Sequence, residues 1–384
     1  MFFDSTAQLI SQLLTGTVAV LDIPPELRRA ATAEYERVGN WLADYADGAA
    51  GWVIYPQGSF LLNTVVLPGG ADEYDVDSVC LREVTKEQTS QRQLKYEVGD
   101  ALDEYRHAHA YLPDGPVSIE ERSRCWTNCY PAALRFHLDV LPAIPNPERG
   151  GTAILITDRA LHEWQRSDPR AYATWFADQA RGAFLEERLR LAEAARTEPA
   201  AIPDWEVRTV LQRVVQVLKV HRNNYFAGDL DSRPASILVS TLAAHAYSGE
   251  RDLYDAVLEA AEKMPAFIQK GPNGYSVPNP VEPREDFADR WGRHPEQARR
   301  FFEWLNQLGE DLREAESTRG LDRVASRLQK SFGQGPVERA AASLGDEYRR
   351  AREDGKLGFV ATTGVLSTTG SIPVRRHDFY GEIS

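Results

Sequence analysis

The hydrophobic pattern of the first part of the chain switches between the helical and the strand period. Apolar residues three or four positions apart predict helices with one buried face, whereas short apolar runs predict strands. Turns rich in glycine and proline separate these segments. The first predicted elements are a helix capped at Asp4, Ser5 and Thr6, a helix that follows Pro24-Pro25 and runs to about Asp47, and strands at 52–55 and 74–81. A helix capped by Thr85 comes next, and then a pair of strands that ends with the strand at 133–141 and is closed by a loop at 142–147.

The helical period dominates the pattern from about Asp158 onward, where proline and glycine interrupt a series of apolar stripes. Helices are predicted near 159–195, 203–226, 234–248, 251–264, 295–316 and 336–353. The last residues are rich in Thr, Ser, Gly and Val, which predicts an extended tail that is partly docked on the body. The pattern therefore predicts an α+β protein with a mixed α/β part at 1–157, a helical part at 158–355 and a tail at 356–384.

The composition excludes several classes of function. The chain has 384 residues, of which 42% are hydrophobic and 26% charged, as is usual for a globular protein with a sizeable core. A net charge of −13 argues against a generally basic surface, so no direct binding of double-stranded DNA is expected. Three cysteines are an odd number for a disulfide framework, and no apolar run approaches the roughly 20 residues that span a bilayer. We expect a cytoplasmic protein without a membrane partner.

A pair of aspartates on the second predicted strand gives the strongest chemical signal. Asp75 and Asp77 stand at positions i and i+2, which point to the same face of a strand. Two carboxylates that converge on one point repel each other unless a cation neutralises them, and hard oxygen ligands suit Mg²⁺ bound to substrate phosphates. Gly58 and Ser59, on the preceding turn, can offer backbone N–H groups and a hydroxyl to those phosphates. The combination predicts nucleotidyl transfer.

Asp139 is the best candidate for a third carboxylate. It shares the non-core face of its predicted strand with Arg135 and His137, and its alternative role is that of a surface carboxylate on an amphipathic strand. In a two-metal mechanism, ions about 3.5–4 Å apart activate the nucleophile and stabilise the leaving pyrophosphate, and a third carboxylate holds the catalytic ion. Asp72 and Glu73 are expected at the mouth of the loop.

Two residues of the helical part are further candidates for contacts with phosphates. Lys219 is predicted on the flank of an apolar stripe, where its ammonium could reach over a cleft; the alternative is a solvated lysine. Ser236 stands near the start of the next predicted helix and could donate to the same phosphates; the alternative is an ordinary serine of a helix N-terminus. His221 and His245 are expected to have structural roles.

Three short motifs give the chain a recognisable signature. They are Gln-Gly-Ser-Phe at 57–60, Asp-Glu-Tyr-Asp-Val-Asp at 72–77, and His-Leu-Asp-Val-Leu-Pro-Ala-Ile-Pro at 137–145. Together with further matches through the helical part and at 373–381, they closely resemble the bacterial cGAS/DncV-like nucleotidyltransferases, or CD-NTases, of the polymerase-β-like superfamily. The resemblance covers most of the chain.

The resemblance implies a bilobed enzyme, with a nucleotidyltransferase core braced by a long N-terminal helix and a helical lobe like that of oligoadenylate synthases. Such enzymes make cyclic di- or trinucleotides from nucleoside triphosphates with Mg²⁺, for which Mn²⁺ is an alternative, and in CBASS anti-phage operons the products activate a death effector. By this analogy, metal ions are bound by Asp75, Asp77 and Asp139, and the nucleotide is contacted by Gln57, Gly58, Ser59, Lys219 and Ser236.

Several alternatives stay open at this point. The resemblance implies a regulatory or conjugating partner protein from the same operon, but Gly381 is followed by three further residues, which departs from the bare terminal glycine that conjugation uses. A linear oligoadenylate synthase, a protein-modifying nucleotidyltransferase and a partner-regulated scaffold with a vestigial site are the rival functions. Base choice would depend on the lid near Asn279, and ATP abundance and family tendency favour at least one adenine.

Overall fold

The structure is a computed structural model, which describes residues 5–45, 52–67, 73–157, 163–272, 274–359, 366–367 and 372–373. It has the predicted α+β composition. The helices are α1 Ser5–Val20, α2 Pro25–Tyr45, α3 Gly58–Leu61, α4 Gln91–His109, α5 Pro169–Asp178, α6 Arg181–Ala195, α7 Val210–Tyr225, α8 Ser236–Ala246, α9 Leu253–Lys263, α10 Pro295–Glu316, α11 Leu321–Phe332 and α12 Gln334–Glu353. The strands are β1 Trp52–Pro56, β2 Tyr74–Arg82, β3 Ser118–Glu121, β4 Trp126–Cys129, β5 Phe136–Pro145, β6 Ile154–Ile156, β7 Gln165–Ser167, β8 Gln269–Gly271, β9 Gly274–Ser276, β10 Gly358–Phe359, β11 Leu366–Ser367 and β12 Ile372–Pro373.

A mixed sheet of seven strands carries the candidate chemistry. Its main order is β1-β2-β5-β4-β3, while β6 pairs with the end of β5 and β7 pairs with β6. Strands β2 and β5 are parallel, because the chain returns through α4 between them, and the other pairs are antiparallel. The parallel register sets Asp75 beside His137 and Asp77 beside Asp139. The sheet thus brings two distant motifs of the sequence to adjacent positions.

One apolar core lies between this sheet and the helices α2 and α4. Alternate residues of β5, namely Phe136, Leu138 and Val140, are almost fully buried there, as the two-residue period of the strand predicts. Val76 of β2 joins this core, whereas Val79 packs in a smaller cluster formed with β6. Burial of each such side chain is worth about 1.5–3 kcal/mol, so the sheet face opposite the aspartates is held firmly in place.

A second apolar core fills the helical part, with α7 at its centre. Helix α7 packs against α1, α8, α9, α10 and α11, so its residues from Val214 to Arg222 are all buried. Helix α1 contributes Ile10 and Leu13 to this core although it begins the chain, and β7 joins the sheet although it follows residue 157. The two cores therefore interleave in sequence, and the division at 157 and 355 stays a prediction.

Several elements differ from the predictions. Helix α4 is capped by Ser90, whose Oγ accepts from the N–H of Gln93; Thr85 lies in a separate turn, where its N–H donates to the Gln88 side chain. Strand β5 continues to Pro145 in place of the predicted loop, because Ala143 and Ile144 are fully buried. The long helix predicted at 159–195 is β7, α5 and α6, and α11 had no predicted counterpart.

Helices α1 and α2 were compared with the requirements of a membrane span. In the described part of the chain, no single helix is long and apolar enough to cross a bilayer, although these two, bent by 46°, meet the length and composition requirements as a pair.

Candidate active site

The glycine-serine motif forms a tight turn between β1 and α3. Gly58 has a φ of +63°, and a Cβ atom at this position would collide with the carboxylate of Asp77. Only glycine combines this backbone conformation with such a close approach. The N–H of Gln57 donates to the carbonyl oxygen of Asp77 over 2.8 Å, which fixes the turn to β2. The turn therefore lies directly against the Asp77 carboxylate.

The three candidate carboxylates lie on one face of the β2–β5 pair. Asp77 is the register partner of Asp139, and Asp75 stands two residues before Asp77 on the same face. Thr127 on the neighbouring strand β4 donates from Oγ1 to Oδ1 of Asp139 over 2.5 Å, which orients that carboxylate. The hydroxyl of Ser78 donates to the Asp139 carbonyl over 3.0 Å and ties the two strands together.

The electrostatics of this cluster favour a bound cation. Burial, together with the negative charges of Asp75 and Asp139, raises the pKa of Asp77 to about 7. Burial also raises the pKa of Asp139, while the hydrogen bond from Thr127 acts in the opposite direction. Without a cation, the site therefore resists full ionisation near neutral pH. A divalent cation would remove this penalty because it pairs with all the carboxylates at once.

His137 joins the cluster, although it was not predicted as a site residue. Its Nε2 lies 2.5 Å from Oδ1 of Asp75, and Nδ1 lies 3.5 Å from Glu73 at the mouth of the loop. The hydrogen bond to Asp75 raises the pKa of His137 to about 9. Its position two residues before Asp139 was a signal in the sequence, but the partner carboxylate becomes visible only with the β2–β5 register.

A divalent metal ion fits the side chains that meet here. Ligand atoms of Asp75, His137 and Asp139 lie within 4.8 Å of one another. Asp77 is close enough to Asp75 and Asp139 for their charges to raise its pKa. Carboxylate oxygens are the ligands preferred by hard divalent cations, whereas an imidazole also accepts transition metals. The donor set therefore matches the predicted divalent ion.

A large cavity opens between this cluster and the helical part. Its volume is about 1220 Å³, above the roughly 300–1,000 Å³ of a typical small-molecule pocket. The side of the sheet contributes Gln57, Gly58 and Asp77 to its lining. The opposite wall is rich in arginine, and the cations that line the cavity are Arg124, Arg166, Arg222, Arg233, Arg284, Arg290 and Arg293. This space can accommodate two nucleotides with their phosphates.

Two arginines and Ser236 form one wall of the cavity. Arg222 is buried, and its Nη1 donates to the Pro234 carbonyl over 3.1 Å and to Ser236 Oγ over 3.0 Å. Burial, with a smaller contribution from the charge of the exposed Arg233, lowers the pKa of Arg222 to about 10. Neither guanidinium forms an ion pair with a carboxylate of the described residues. The wall therefore carries uncompensated positive charge beside the first turn of α8.

Lys219 differs from its prediction. Its side chain is only 4% exposed, and Nζ donates to the carbonyl and to Oγ1 of Thr64 over 2.9 and 3.2 Å. Burial lowers the pKa of Lys219 to about 7. The predicted position over an open cleft was wrong because Thr64 and its buried neighbours cover this flank of α7. The predicted contact of Lys219 with the nucleotide stays a prediction.

The remaining residues singled out in the sequence lie at the Gly-Ser turn, in the lining of the cavity or outside the described ranges. The carbonyl of half-buried Ser59 accepts from the Thr64 N–H over 3.0 Å, while Ser236 is exposed at the cavity. Asn279 belongs to the lining of the cavity, but its side chain is buried and its amide donates to Glu285 over 2.7 Å. Outside the described residues lie Asp4, Asp72, Gly381 and the tail from 374 onward.

The two histidines predicted to be structural lie in the helical part, where His221 is buried and His245 is half-buried. His221 Nδ1 accepts from Trp304 Nε1 over 2.9 Å, which leaves its Nε2 to donate to Asp311 over 2.9 Å. His245 contacts the rings of Trp175 and Phe267. Both observations confirm the structural role.

A glycine-serine turn placed against paired aspartates on a mixed sheet, with an arginine-lined cavity facing it, defines a nucleotidyltransferase site of the polymerase-β-like class. Comparison with known proteins specifies this class. A c-di-GMP synthase of Roseivirga ehrenbergii is 31% identical over 358 residues, which cover 91% of each chain. The cyclic dinucleotide synthase CdnG of Bradyrhizobium diazoefficiens is 25% identical over 429 residues, with 99% of this chain and 96% of that one covered.

Solved structures show the same fold. The structure of the Bradyrhizobium CdnG in complex with GTP has a TM-score of 0.69 at 23% identity and covers 89% of this chain and 100% of that one. CdnC of Escherichia coli MS115-1, solved in complex with a HORMA protein, has a TM-score of 0.58 at 12% identity, with 86% of this chain and 98% of that one covered. No protein-family model matches the chain.

Because a relative at 31% identity spans most of its length, the chain belongs to the cGAS/DncV-like nucleotidyltransferases, the CD-NTases. The predicted family and fold are thereby confirmed, as is the prediction of an enzyme that makes cyclic nucleotides from nucleoside triphosphates. A two-metal mechanism and a role in CBASS antiviral defence are typical of this family.

Proposed function

We propose that this enzyme condenses two molecules of GTP into a cyclic dinucleotide and releases two pyrophosphates. The observation that carries the proposal is the extended similarity to a relative named c-di-GMP synthase. The second relative is a cyclic dinucleotide synthase that was solved with GTP. These relatives favour guanine over the adenine that family tendency had suggested. A cavity of about 1220 Å³ has room for the two nucleotides that such a reaction needs.

The triphosphate would lie between the Gly-Ser turn and the arginine wall. Gly58 and Gln57 line the cavity next to Asp77, and Arg222, Arg233 and Ser236 line it from the other side. Guanidinium groups bind phosphate oxygens strongly because they offer several donors in one plane. The uncompensated charge of the two arginines supports this assignment, since a bound triphosphate would neutralise it.

Asp75, Asp77 and Asp139 would hold Mg²⁺. Their hard oxygen ligands and the raised pKa of Asp77 support a doubly charged ion over a monovalent one. His137 would orient Asp75 through their hydrogen bond. When bound, Mg²⁺ ions favour the deprotonated form of the attacking hydroxyl and stabilise charge on the leaving pyrophosphate.

The chain's own residues would contribute position and proton transfer. In each step a ribose hydroxyl forms a bond to the α-phosphorus, the bond between the α-phosphorus and the bridging oxygen breaks, and pyrophosphate leaves with that oxygen. Asp139, oriented by Thr127, is the carboxylate best placed to accept the hydroxyl proton. The backbone of Gly58 would hold the α-phosphate against the aspartates because no side chain separates them. The second step closes the ring on the other nucleotide.

The composition of the product tests this proposal. The purified enzyme is incubated with Mg²⁺ and each of the four nucleoside triphosphates alone and in all pairs, and the products are measured by mass spectrometry. The proposal expects a cyclic dinucleotide from GTP alone. A product that requires ATP or a pyrimidine nucleotide would refute the choice of GTP, and a linear product with a phosphatase-sensitive end would support the linear-synthase alternative.

A partner protein is the remaining part of the proposal. The neighbour CdnC was solved with a HORMA protein, and a CD-NTase in CBASS works within an operon. We therefore propose that a protein encoded beside this enzyme regulates it. Synthesis by the isolated enzyme and by the enzyme with each neighbouring gene product is the test; equal rates in all mixtures would refute it. Conjugation through Gly381 remains a prediction, as do the cytoplasmic location and the division at residues 157 and 355.

A further inference from the structure

The turn that joins β3 to β4 ends beside the carboxylate cluster. This hairpin turn, residues 122–125, is closed by a hydrogen bond from its first N–H to its last carbonyl over 3.0 Å. Its Arg124 belongs to the lining of the cavity, and the charge of Arg122 acts on Asp139. Thr127, two residues beyond the turn, donates to Asp139. The position of the hairpin turn therefore affects the orientation of the proposed proton acceptor.

A buried lysine of α4 holds the hairpin turn. Lys95 is only 3% exposed, and its Nζ donates to the carbonyl of Arg122 over 2.6 Å and to that of Ser123 over 3.4 Å. A third contact joins Nζ to Oε1 of Glu121 over 2.7 Å. An ammonium has three N–H donors, and burying it without partners would be costly. Here two of the three acceptors belong to the backbone of the turn, so Lys95 fixes the main chain as well as a charge.

Helix α4 also fixes the first residue of β4. Trp126 Nε1 donates to the carbonyl of Lys95 over 2.8 Å. A Cβ atom at Gly99, one turn further along α4, would collide with the Trp126 ring, so the ring packs directly on the backbone of the helix. Trp126 precedes Thr127 in the chain, and the register of β4 against β5 sets Thr127 beside Asp139. A displacement of the hairpin turn from α4 would therefore move the hydroxyl group that orients Asp139.

The pairing of strands alone holds this end of the sheet less firmly. Strand β3 is the last strand in the main order of the sheet, and its residues Glu120 and Glu121 are exposed. Exposed backbone hydrogen bonds at the edge of a structure open more easily than those in its core. Thr157 adds one contact, because its Oγ1 donates to the carbonyl of Arg124 over 3.2 Å. The contacts with α4 thus supply support that the edge strand does not.

We propose that Lys95 is a positioning residue for the reaction. Through the carbonyl groups of the hairpin turn and through Trp126, it holds the start of β4 at the place from which Thr127 orients Asp139. The donors of Lys95 are directed at residues 121–123, so it acts through Thr127 and not by contact with the substrate. This inference rests on the proposed nucleotidyl transfer, but it does not depend on the choice of GTP.

The test is a double-mutant cycle between Lys95→Met and Thr127→Val, measured as pyrophosphate release from GTP, or from the nucleoside triphosphate that the product analysis identifies. Each single variant should lower kcat about 10-fold, because misplacement of a catalytic group by about 1 Å can cost 10²-fold. The double variant should be slower than the slower single variant by less than about threefold, since both substitutions remove the same orientation of Asp139. The KM should change by less than about threefold in every variant, because the orientation of the proton acceptor affects the reacting step and not binding.

Two controls separate this role from a loss of stability. Urea denaturation gives the folded fraction of each variant, so that kcat is expressed per folded molecule. Glu97→Gln changes a half-buried residue of the same helix, which pairs with Arg82, and should leave kcat unchanged. If Lys95→Met does not fold, Trp126→Phe decides in its place, because it removes the hydrogen bond to the Lys95 carbonyl but keeps an aromatic ring.

Three results would overturn the assignment. The first is independent losses that multiply to about 100-fold in the double variant. The second is a wild-type kcat per folded molecule in Lys95→Met, which would leave the lysine a structural role alone. The third is a raised KM with unchanged kcat, because the hairpin turn would then act in binding. If the wild-type enzyme released no pyrophosphate from any nucleoside triphosphate, the proposed function itself would fail, which is a result distinct from these three.

Discussion

Gly58 and Asp77 approach each other so closely that no side chain can stand between them. The glycine has a φ of +63°, and the place of its missing Cβ atom is taken by the Asp77 carboxylate. In consequence the Gly-Ser turn, proposed to bind phosphate, and strand β2, which carries the proposed metal ligands, share one surface. The Gly-Ser and Asp-x-Asp motifs of the sequence therefore form a single site.

Gly58→Ala should abolish catalysis because the new methyl group must displace either the turn or Asp77. We expect the rate of pyrophosphate release to fall at least about 100-fold, as misplacement of a catalytic group by about 1 Å does. Gly151→Ala is the matched control, since Gly151 has the same φ of +63° and nothing within 4 Å of its Cβ position. Both variants carry the strain of a positive φ, so equal activity losses would show that strain, and not the contact with Asp77, is responsible.

The stability of the metal-free enzyme should depend on Asp77. Burial and neighbouring carboxylates raise its folded-state pKa to about 7, above the unfolded value near 3.9. Between these values the folded protein holds a proton that the unfolded chain has lost, so the free energy of unfolding falls as pH rises from about 4 to about 7. Because asparagine does not titrate, the free energy of unfolding of Asp77→Asn does not fall in this way. In EDTA at pH 8 this variant should be more stable than the wild-type enzyme by about 1–2 kcal/mol.

Thermal unfolding in EDTA across this pH range, followed by addition of Mg²⁺, checks this prediction. Mg²⁺ should raise the Tm of the wild-type enzyme but leave that of Asp77→Asn nearly unchanged. Asp354→Asn, an exposed carboxylate, serves as the control. A wild-type Tm that rises with pH, or an equal response of both proteins to Mg²⁺, would contradict the assignment of Asp77 to the metal site.

The pairing of Asp75 with Asp77 could be predicted from the sequence because it depends on local geometry. Positions i and i+2 of a strand share a face whatever the rest of the fold does. Asp139 was chosen because it lies on the non-core face of its own predicted strand, and its place beside Asp77 follows only from the register of β2 against β5. His137 required the register of β2 against β5, which two strands separated by a helix do not reveal. The exposure of Lys219 was mispredicted for a related reason, since periodicity shows which face of a helix is apolar but not that residues 62–65 cover its polar flank as well.

Arg233→Ala should weaken binding of the triphosphate. The side chain is exposed at the cavity beside Arg222 and has no carboxylate partner among the described residues. A charge-assisted hydrogen bond is worth about 1.5–3 kcal/mol, so the Kd for GTP should rise about 10- to 100-fold, and that for GMP much less. Calorimetric titration measures both. Arg349→Ala, which removes an exposed arginine paired with Asp346, is the control, and an equal effect of the two variants would speak against the arginine wall.

His221→Leu should destabilise the helical part without changing catalysis. The substitution leaves Trp304 Nε1 and one contact of Asp311 without their buried partner. Each unsatisfied group costs about 1–3 kcal/mol, and urea denaturation should show a loss within that range. His294→Leu, at an exposed ion pair with Glu296, should change the free energy of unfolding by less than about 0.5 kcal/mol. If His221→Leu kept full stability but lost activity, the histidine would have a role in the reaction.

Asp139→Asn gives the most direct measurement of the central claim, which is that three carboxylates beside the Gly-Ser turn carry out nucleotidyl transfer. Wild type and variant are incubated with GTP labelled at the α-phosphate and Mg²⁺, treated with phosphatase, and analysed for resistant label. The wild-type enzyme should give label in a phosphatase-resistant phosphodiester, and Asp139→Asn, which keeps an oxygen that can accept the hydrogen bond from Thr127, should give none. Equal amounts of resistant product from both proteins would contradict the account.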